Sequence, residues 1–268
     1  MFPVIHILGR DLGTYSICAI IGLAVCAAVS TLIGKKRGFK FEDIILFMLV
    51  IGAGILVGGH IMYGITNIRS IVTILGYIGR APFITLVQYL AQSFGGMVYY
   101  GGFIGACIAA VIYSKFSKNF TRGELLDLFA VNAPLFHFFG RLGCFFGGCC
   151  YGIESEFGFL ITDNTVNPGI NGVRRLPTAL IEAFFNLVIF LILLYIYKKK
   201  KFHGEIIFIY MLIYPVVRFV IEFFRGDEVR GFLLGLSTSQ WISIILFIIA
   251  AAHFTAKKLR SKNHTQAL

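Results

Sequence analysis

The stretch TALIEAFFNLVIFLILLYIYKKKK, Thr178 to Lys201, decides the fold. From 178 to 197 it is an apolar run of the length needed to cross a hydrocarbon layer, about 20 residues as a helix. It stops at four consecutive lysines, and an apolar run closed by a basic cluster reads as a membrane span followed by a topology signal. Outward from it, apolar runs bounded by charged or turn residues recur at about 12–34, 43–65, 96–114, 125–150, 205–224 and 237–255. Together they predict an all-α polytopic membrane protein of about seven transmembrane helices, forming a single membrane-embedded domain over residues 1–268.

The whole composition agrees. Of the 268 residues 57% are hydrophobic and only 14% charged, with 28 Phe, and the mean hydropathy is +0.83. That excludes an ordinary soluble enzyme, a disordered chain and a secreted disulfide scaffold. The net charge of +11 would suggest a nucleic-acid partner in a soluble protein. Here the basic residues sit in short clusters between apolar runs, so they point to a membrane and not to nucleic acid.

Those clusters orient the chain. Lys35, Lys36, Arg37 and Lys40, then Lys115, Lys118 and Arg122, then Lys198 to Lys201, then Lys257, Lys258, Arg260 and Lys262 fall in alternate loops. The opposite loops hold only Arg10, Arg69, Arg80, Arg174, Arg175, Arg225 and Arg230. The positive-inside rule therefore puts the N-terminus outside and the C-terminus in the cytoplasm, in agreement with an odd number of spans. The first span is expected to remain as a helix, because its basic cluster follows the apolar run, whereas in a cleavable signal peptide it precedes it.

Two segments do not read as spans. Residues 71–93 are apolar but carry Gly76, Gly79, Arg80 and Pro82, a poor composition for an uninterrupted helix in lipid; the surrounding segment, about 66–94, is expected to form interfacial helices on the outer face. The outer loop at about 151–177, with Pro168, Asn171 and Gly172, is expected to form a small ordered cap. No internal repeat relates two halves of the chain, which argues against an inverted-repeat transporter.

Two cations remain after both sets of loops are accounted for, Arg141 and Arg218, each inside an apolar run. An arginine at mid-bilayer costs about 2.5–3.5 kcal/mol on insertion scales, so it faces a cavity and is held by an anionic partner or ligand. Arg218, Glu222 and Arg225 have the spacing of one helical face, which lets Glu222 pair with either arginine. His137, Arg141, Cys144 and Gly148 share a second stripe, where Gly140, Gly143, Gly147 and Gly148 permit close approach of a ligand or of another backbone. His137 itself reads as a hydrogen-bonded packing residue. The two arginines serve either to lock helices as buried ion pairs or to line one anion-binding cavity. A planar guanidinium fork suits phosphate, and the outer-leaflet depth of both arginines suggests a phospholipid headgroup.

GRLGCFFGGCCYG, Gly140 to Gly152, resembles the signature of the prolipoprotein diacylglyceryl transferases. Tyr15, GGHIMY from Gly58, GGMVYYGGFIG from Gly95, PTALIE from Pro177, RFVIEFFR from Arg218 and SQWISI from Ser239 are similar to further segments of that family, in the family's order. The resemblance covers nearly the whole chain. It implies a seven-helix enzyme of the bacterial cytoplasmic membrane that moves diacylglycerol from phosphatidylglycerol to the lipobox cysteine in the signal peptide of a prolipoprotein and releases glycerol phosphate. It also implies no metal and no soluble cofactor. Carried over by position, Arg141 and Arg218 bind the lipid and stabilise the leaving phosphate, Glu222 holds an arginine in place, and Tyr15 lines the cavity. Gly152 matches the closing glycine of the signature, and Cys144 and Arg225 belong to the same expected lipid contact set.

The chain departs from the family pattern at several positions. Tyr100 stands where the family usually has histidine, and is the candidate for the base that takes the thiol proton; as a plain phenol it would instead position the headgroup. Cys144 and Gly147 replace asparagines and Cys149 replaces glutamate, so three hydrogen-bonding side chains of the signature are absent. His60 stands where arginine is common, and Ala179 and Ile181 replace glutamine and tyrosine, although Glu182 remains. Two other readings stay open: a diverged relative that modifies a different acceptor, and a phospholipid-binding or transport protein without catalysis. For Cys144, Cys149 and Cys150 the alternatives are packing, a disulfide on the oxidising side, or a metal site, although their spacing is not a standard zinc pattern and no histidine stands at a confirming offset. Cys18, Cys26 and Cys107 read as small buried hydrophobes.

Overall fold

A computed structural model describes residues 3–7, 9–117, 119–165, 167–199, 204–226 and 232–266, without the side chains of residues 7, 10, 11, 99, 100, 232, 233 and 263–266. Of the basic residues used for orientation, Lys118, Lys200, Lys201 and Arg230 lie outside the described residues. The chain divides into two compact units, one of Met1–Ser30 with Leu126–Leu268 and the other of Thr31–Leu125.

Helices dominate both. In chain order, α1 is Thr14–Lys35, α2 Phe41–Thr66, α3 Ile68–Leu75, α4 Phe83–Ser93, α5 Tyr99–Phe116, α6 Arg122–Gly147, α7 Thr178–Lys199, α8 Ile206–Glu222 and α9 Thr238–Gln266. Every span expected from the sequence coincides with one of these helices. Among the described residues, five are long and apolar enough to cross a membrane: α1, α2, α6, α7 and residues Thr238–Lys262 of α9. The other two, α5 and α8, are shorter, and the 17 residues of α8 sit at the lower end of spanning lengths. The protein is a multi-pass helical membrane protein.

In the 31–125 unit, α2 packs on α5 through glycines. Gly54 and Gly58 on α2 face Gly101 and Gly105 on α5; a Cβ at Gly54 would lie 2.6 Å from the Gly105 carbonyl oxygen, and one at Gly58 would overlap the Gly101 carbonyl. Both helices thus present small residues four apart, which lets the backbones approach closely where lipid offers no hydrophobic drive for association. The segment at 66–94 forms α3 and α4 joined by a turn, helical as expected, with Gly79 at φ +79 in that turn.

The other unit holds α7, α8, α9 and most of α1 and α6. An N-terminal hairpin, β1 (Val4–Ile7) with β2 (Arg10–Gly13), leads into α1 and was not apparent from the sequence. Gly22 admits Phe139 against α1, and Asn132 on α6 donates to Ser30 Oγ at 2.9 Å. The buried Asp127 carboxylate on α6 accepts the Ile206 amide at 2.9 Å, which places a negative charge on the N-terminal turn of α8, where the helix dipole favours it. Among the described residues of the loop at 151–177, β3 (Glu154–Leu160) pairs with β4 (Arg174–Arg175), and Asn164, Asn167 and Asn171 bond one another through side chain and backbone. A further small hairpin, β5 (Phe232–Leu233) with β6 (Leu236–Ser237), precedes α9.

Candidate functional site

The site is built on a carboxylate. Glu182, one turn into α7, has a side chain only 1% exposed, and it gathers groups from two other helices. Its Oε1 lies 3.1 Å from Arg141 Nη2 of α6 and accepts the Tyr214 hydroxyl of α8 at 3.1 Å. Its Oε2 accepts Arg218 Nη1 of α8 at 3.1 Å. A carboxylate engaged on both oxygens is the arrangement that makes burial of its charge tolerable.

Each arginine is held at further points. Arg141 Nε donates to His137 Nε2, one helical turn earlier, at 3.2 Å. To accept there the imidazole must be neutral, with its proton on Nδ1. Arg218 Nη2 donates to Ser239 Oγ at 3.0 Å and pairs with Glu222 Oε2 at 2.7 Å. Ser239 is placed by the start of α9, where Ser237 Oγ accepts the Gln240 amide at 3.2 Å and Gln240 Oε1 accepts the Ser237 amide at 2.9 Å, a reciprocal cap. The third face of Arg141 is weaker: Nη1 meets a sulfur, Cys150 Sγ, at 3.8 Å.

The structure thus brings Arg141 and Arg218 together, 8% and 6% exposed, on one carboxylate. The hinge of this arrangement is Glu182, whereas the sequence reading gave the arginine-holding role to Glu222. Glu222 does hold Arg218, and Glu182 ties both arginines. The signal for it was present, since an acidic residue inside the 178–197 run is as costly in lipid as an arginine. His137 has the hydrogen-bonded role expected of it.

Two expected helical stripes end early. Arg225 lies past the end of α8, which stops at Glu222, and the chain there is captured by backbone bonding, Ile153 N donating to Phe224 O at 3.0 Å and Gly226 N to Tyr151 O at 3.0 Å, while the Arg225 charge still acts on Glu182 and Cys150. Arg225 instead forms an antiparallel bridge with Gly152. Gly148 likewise lies beyond α6, at φ +69. Gly152 sits where three backbone segments meet; a Cβ there would lie 2.6 Å from Leu176 O and 2.8 Å from Phe224 O. Tyr15 on α1 lies against Gly143 of α6, where a Cβ would come 3.1 Å from the Tyr15 ring. Tyr100 falls in the first turn of α5, and its side chain lies outside the described residues. His60 bonds Phe94 O through Nδ1 at 2.8 Å.

An open cavity of about 690 Å³ in the same unit as the arginines is lined by Val4, Ile5, His6, Thr14, Ile17, Cys18 and Phe146. Its walls are mostly apolar, and its size is that of small-molecule sites.

The family model described as prolipoprotein diacylglyceryl transferase matches residues 3–256, a stretch that contains every group of the arginine cluster. The chain belongs to this family. Among similar proteins, the phosphatidylglycerol–prolipoprotein diacylglyceryl transferase of Clostridium tetani is 34% identical over 253 residues, covering 92% of this chain and 95% of that one. The protein named phosphatidylglycerol–prolipoprotein diacylglyceryl transferase 2 of Clostridium perfringens is 33% identical over 267 residues, 97% of this chain and 98% of that one. The corresponding transferase of Campylobacter hominis is 30% identical over 267 residues, 97% and 91% of the two chains. Membership in the prolipoprotein diacylglyceryl transferase family extends over nearly the full length, so the resemblance read from Gly140 to Gly152 is not confined to one motif.

Proposed function

We propose that this chain transfers the diacylglyceryl group of phosphatidylglycerol to the lipobox cysteine of a prolipoprotein and releases glycerol phosphate. The observation that carries the reading is the pair of buried arginines from α6 and α8 gathered on Glu182. In the reaction the acceptor thiolate attacks the glyceryl carbon bonded to the phosphate oxygen. A carbon–sulfur bond forms, the carbon–oxygen bond breaks, and its electron pair goes to the departing phosphate. Charge grows on that phosphate in the transition state, and cations already fixed in a water-poor site stabilise it without having to reorganise.

Glu182 serves this by holding both guanidiniums in place before the lipid arrives. Arg141 Nη1, which faces the Cys150 thiol, is the donor best able to turn to a phosphate oxygen, since a thiol is a weak acceptor. Tyr15, Cys144, Gly152, Glu222 and Arg225 complete the proposed lipid contact set, and the apolar cavity at Thr14, Ile17 and Phe146 suits an acyl chain. Tyr100 is proposed, from its family position, as the group that takes the thiol proton.

The proposed setting is the bacterial cytoplasmic membrane, with α1, α2, α5, α6, α7, α8 and α9 as seven spans of one transferase domain. The N-terminus and the segments at 66–94 and 151–177 lie outside and the C-terminus in the cytoplasm, a reading supported by the distribution of lysine and arginine. The partners are the membrane, phosphatidylglycerol and a lipobox-bearing signal peptide.

The test is turnover by purified protein in detergent with phosphatidylglycerol and a lipobox peptide, following glycerol phosphate release and peptide mass. Release should require the peptide, and Arg141→Ala should lower the rate by roughly 10²–10³, the usual cost of removing one charge-stabilising donor. Lipid binding without peptide-dependent release would sink the transferase reading in favour of a carrier.

A further inference from the structure

The three cysteines at the end of α6 are not used by the proposed reaction as a group, yet the fold brings them together. The Sγ atoms of Cys144, Cys149 and Cys150 all lie within 4.8 Å of one another. The local cause is the way α6 terminates. Gly148 takes φ +69, its amide donates to Phe145 O at 3.3 Å, and the Cys149 amide donates to Cys144 O at 3.3 Å. This pair of bonds around a left-handed glycine reverses the chain at the helix C-terminus, so residues five and six positions after Cys144 return to it. The turn is held from outside as well, because Asn164 Nδ2, itself buried, donates to Gly148 O at 2.9 Å.

We propose that Cys144, Cys149 and Cys150 form a binding site for one thiophilic divalent cation of the zinc and cadmium class. With metal–sulfur bonds of about 2.3 Å, a tetrahedral site needs its sulfurs roughly 3.8 Å apart, a spacing compatible with this cluster after small side-chain rotations. Three thiols and one water would complete four-coordination. Cys149 is exposed and Cys144 and Cys150 are partly so, which leaves the cation a way in. Binding converts three thiols and M²⁺ into a tris-thiolate complex of net charge −1 and releases three protons to solvent. The charge is complemented by Arg141, whose Nη1 already lies 3.8 Å from Cys150 Sγ. The site does not depend on the transferase reading.

The full-length protein in detergent, reduced with a phosphine and stripped with a chelator, is titrated with Cd²⁺ alone. The thiolate-to-cadmium charge-transfer absorbance should reach a plateau at one ion per chain. A maleimide mass tag should then fail to label Cys144, Cys149 and Cys150, with labelling of Cys18, Cys26 and Cys107 unchanged. Cys150→Ser should weaken binding by at least about tenfold, since even groups that only support a ligand are worth that much, and Cys107→Ser should leave it as it was. Absence of a plateau, equal labelling of the three cysteines with and without Cd²⁺, or a plateau that survives replacement of all three by serine overturns the proposal. The protection experiment is done on the unaltered chain, so it decides the matter even where a serine variant fails to fold.

Discussion

At the scale of single residues, the site turns on how two positive charges are kept in an apolar interior. Arg141 and Arg218 were found from the sequence because each interrupts an apolar run at a cost that demands a partner. The partner was harder to name, since Glu222 has the helical spacing to Arg218 and Glu182 has no sequence relation to either arginine. In the folded chain Glu182 accepts both, and Tyr214 as well. Its removal leaves two buried cations without their common counter-charge. Glu182→Gln is expected to destabilise the protein by about 3–5 kcal/mol, the usual result of breaking one side of a buried pair, and thermal unfolding in detergent measures it. An unchanged midpoint would mean that Glu182 does not carry the load assigned to it. Glu222→Gln, which removes the second carboxylate at Arg218 and leaves Glu182 in place, should cost less in the same assay.

At the scale of elements, glycine decides where helices approach and where they stop. Gly58 on α2 has the Gly101 carbonyl directly above it, so Gly58→Leu must push α2 and α5 apart. Overpacking of this kind costs about 1–3 kcal/mol, seen as a lower unfolding midpoint or lost yield from membranes. Gly148→Val should also destabilise, because a β-branched residue at φ +69 pays about 1–2 kcal/mol for the left-handed backbone. Among the elements, the helices at 12–34, 43–65, 96–114, 125–150, 178–197, 205–224 and 237–255 were legible as apolar runs. The N-terminal hairpin was not, since four-residue strands carry too little pattern to separate from a loop. The helices α8 and α6 ended before Arg225 and Gly148 for one reason. Helical spacing extrapolates a helix past the point where backbone bonds to other segments become available.

At the scale of the whole molecule, charge and apolarity set the orientation proposed for the chain in the membrane. On a cysteine-free background, Glu154→Cys, whose side chain is 69% exposed, should react with an impermeant maleimide added outside intact cells. Lys198→Cys should react only after the membrane is opened. The reverse pattern would invert the proposed topology.

By itself the sequence determined that this is a multi-pass helical membrane protein of the prolipoprotein diacylglyceryl transferase family, and that Arg141 and Arg218 needed explaining. The membrane architecture and the two arginines follow from local quantities, the length of an apolar run, the charges that bound it and the transfer cost of one ion, whereas the family was legible only through the resemblance of Gly140 to Gly152 and the further segments in their order. Only the tertiary structure decided that Glu182 is the shared counter-charge, that Gly54 and Gly58 meet Gly101 and Gly105, and that the thiols of Cys144, Cys149 and Cys150 converge at the end of α6. Each of these depends on which faces of distant segments meet, and in a chain so uniformly apolar many faces are equally eligible until close packing and the satisfaction of buried polar groups choose among them.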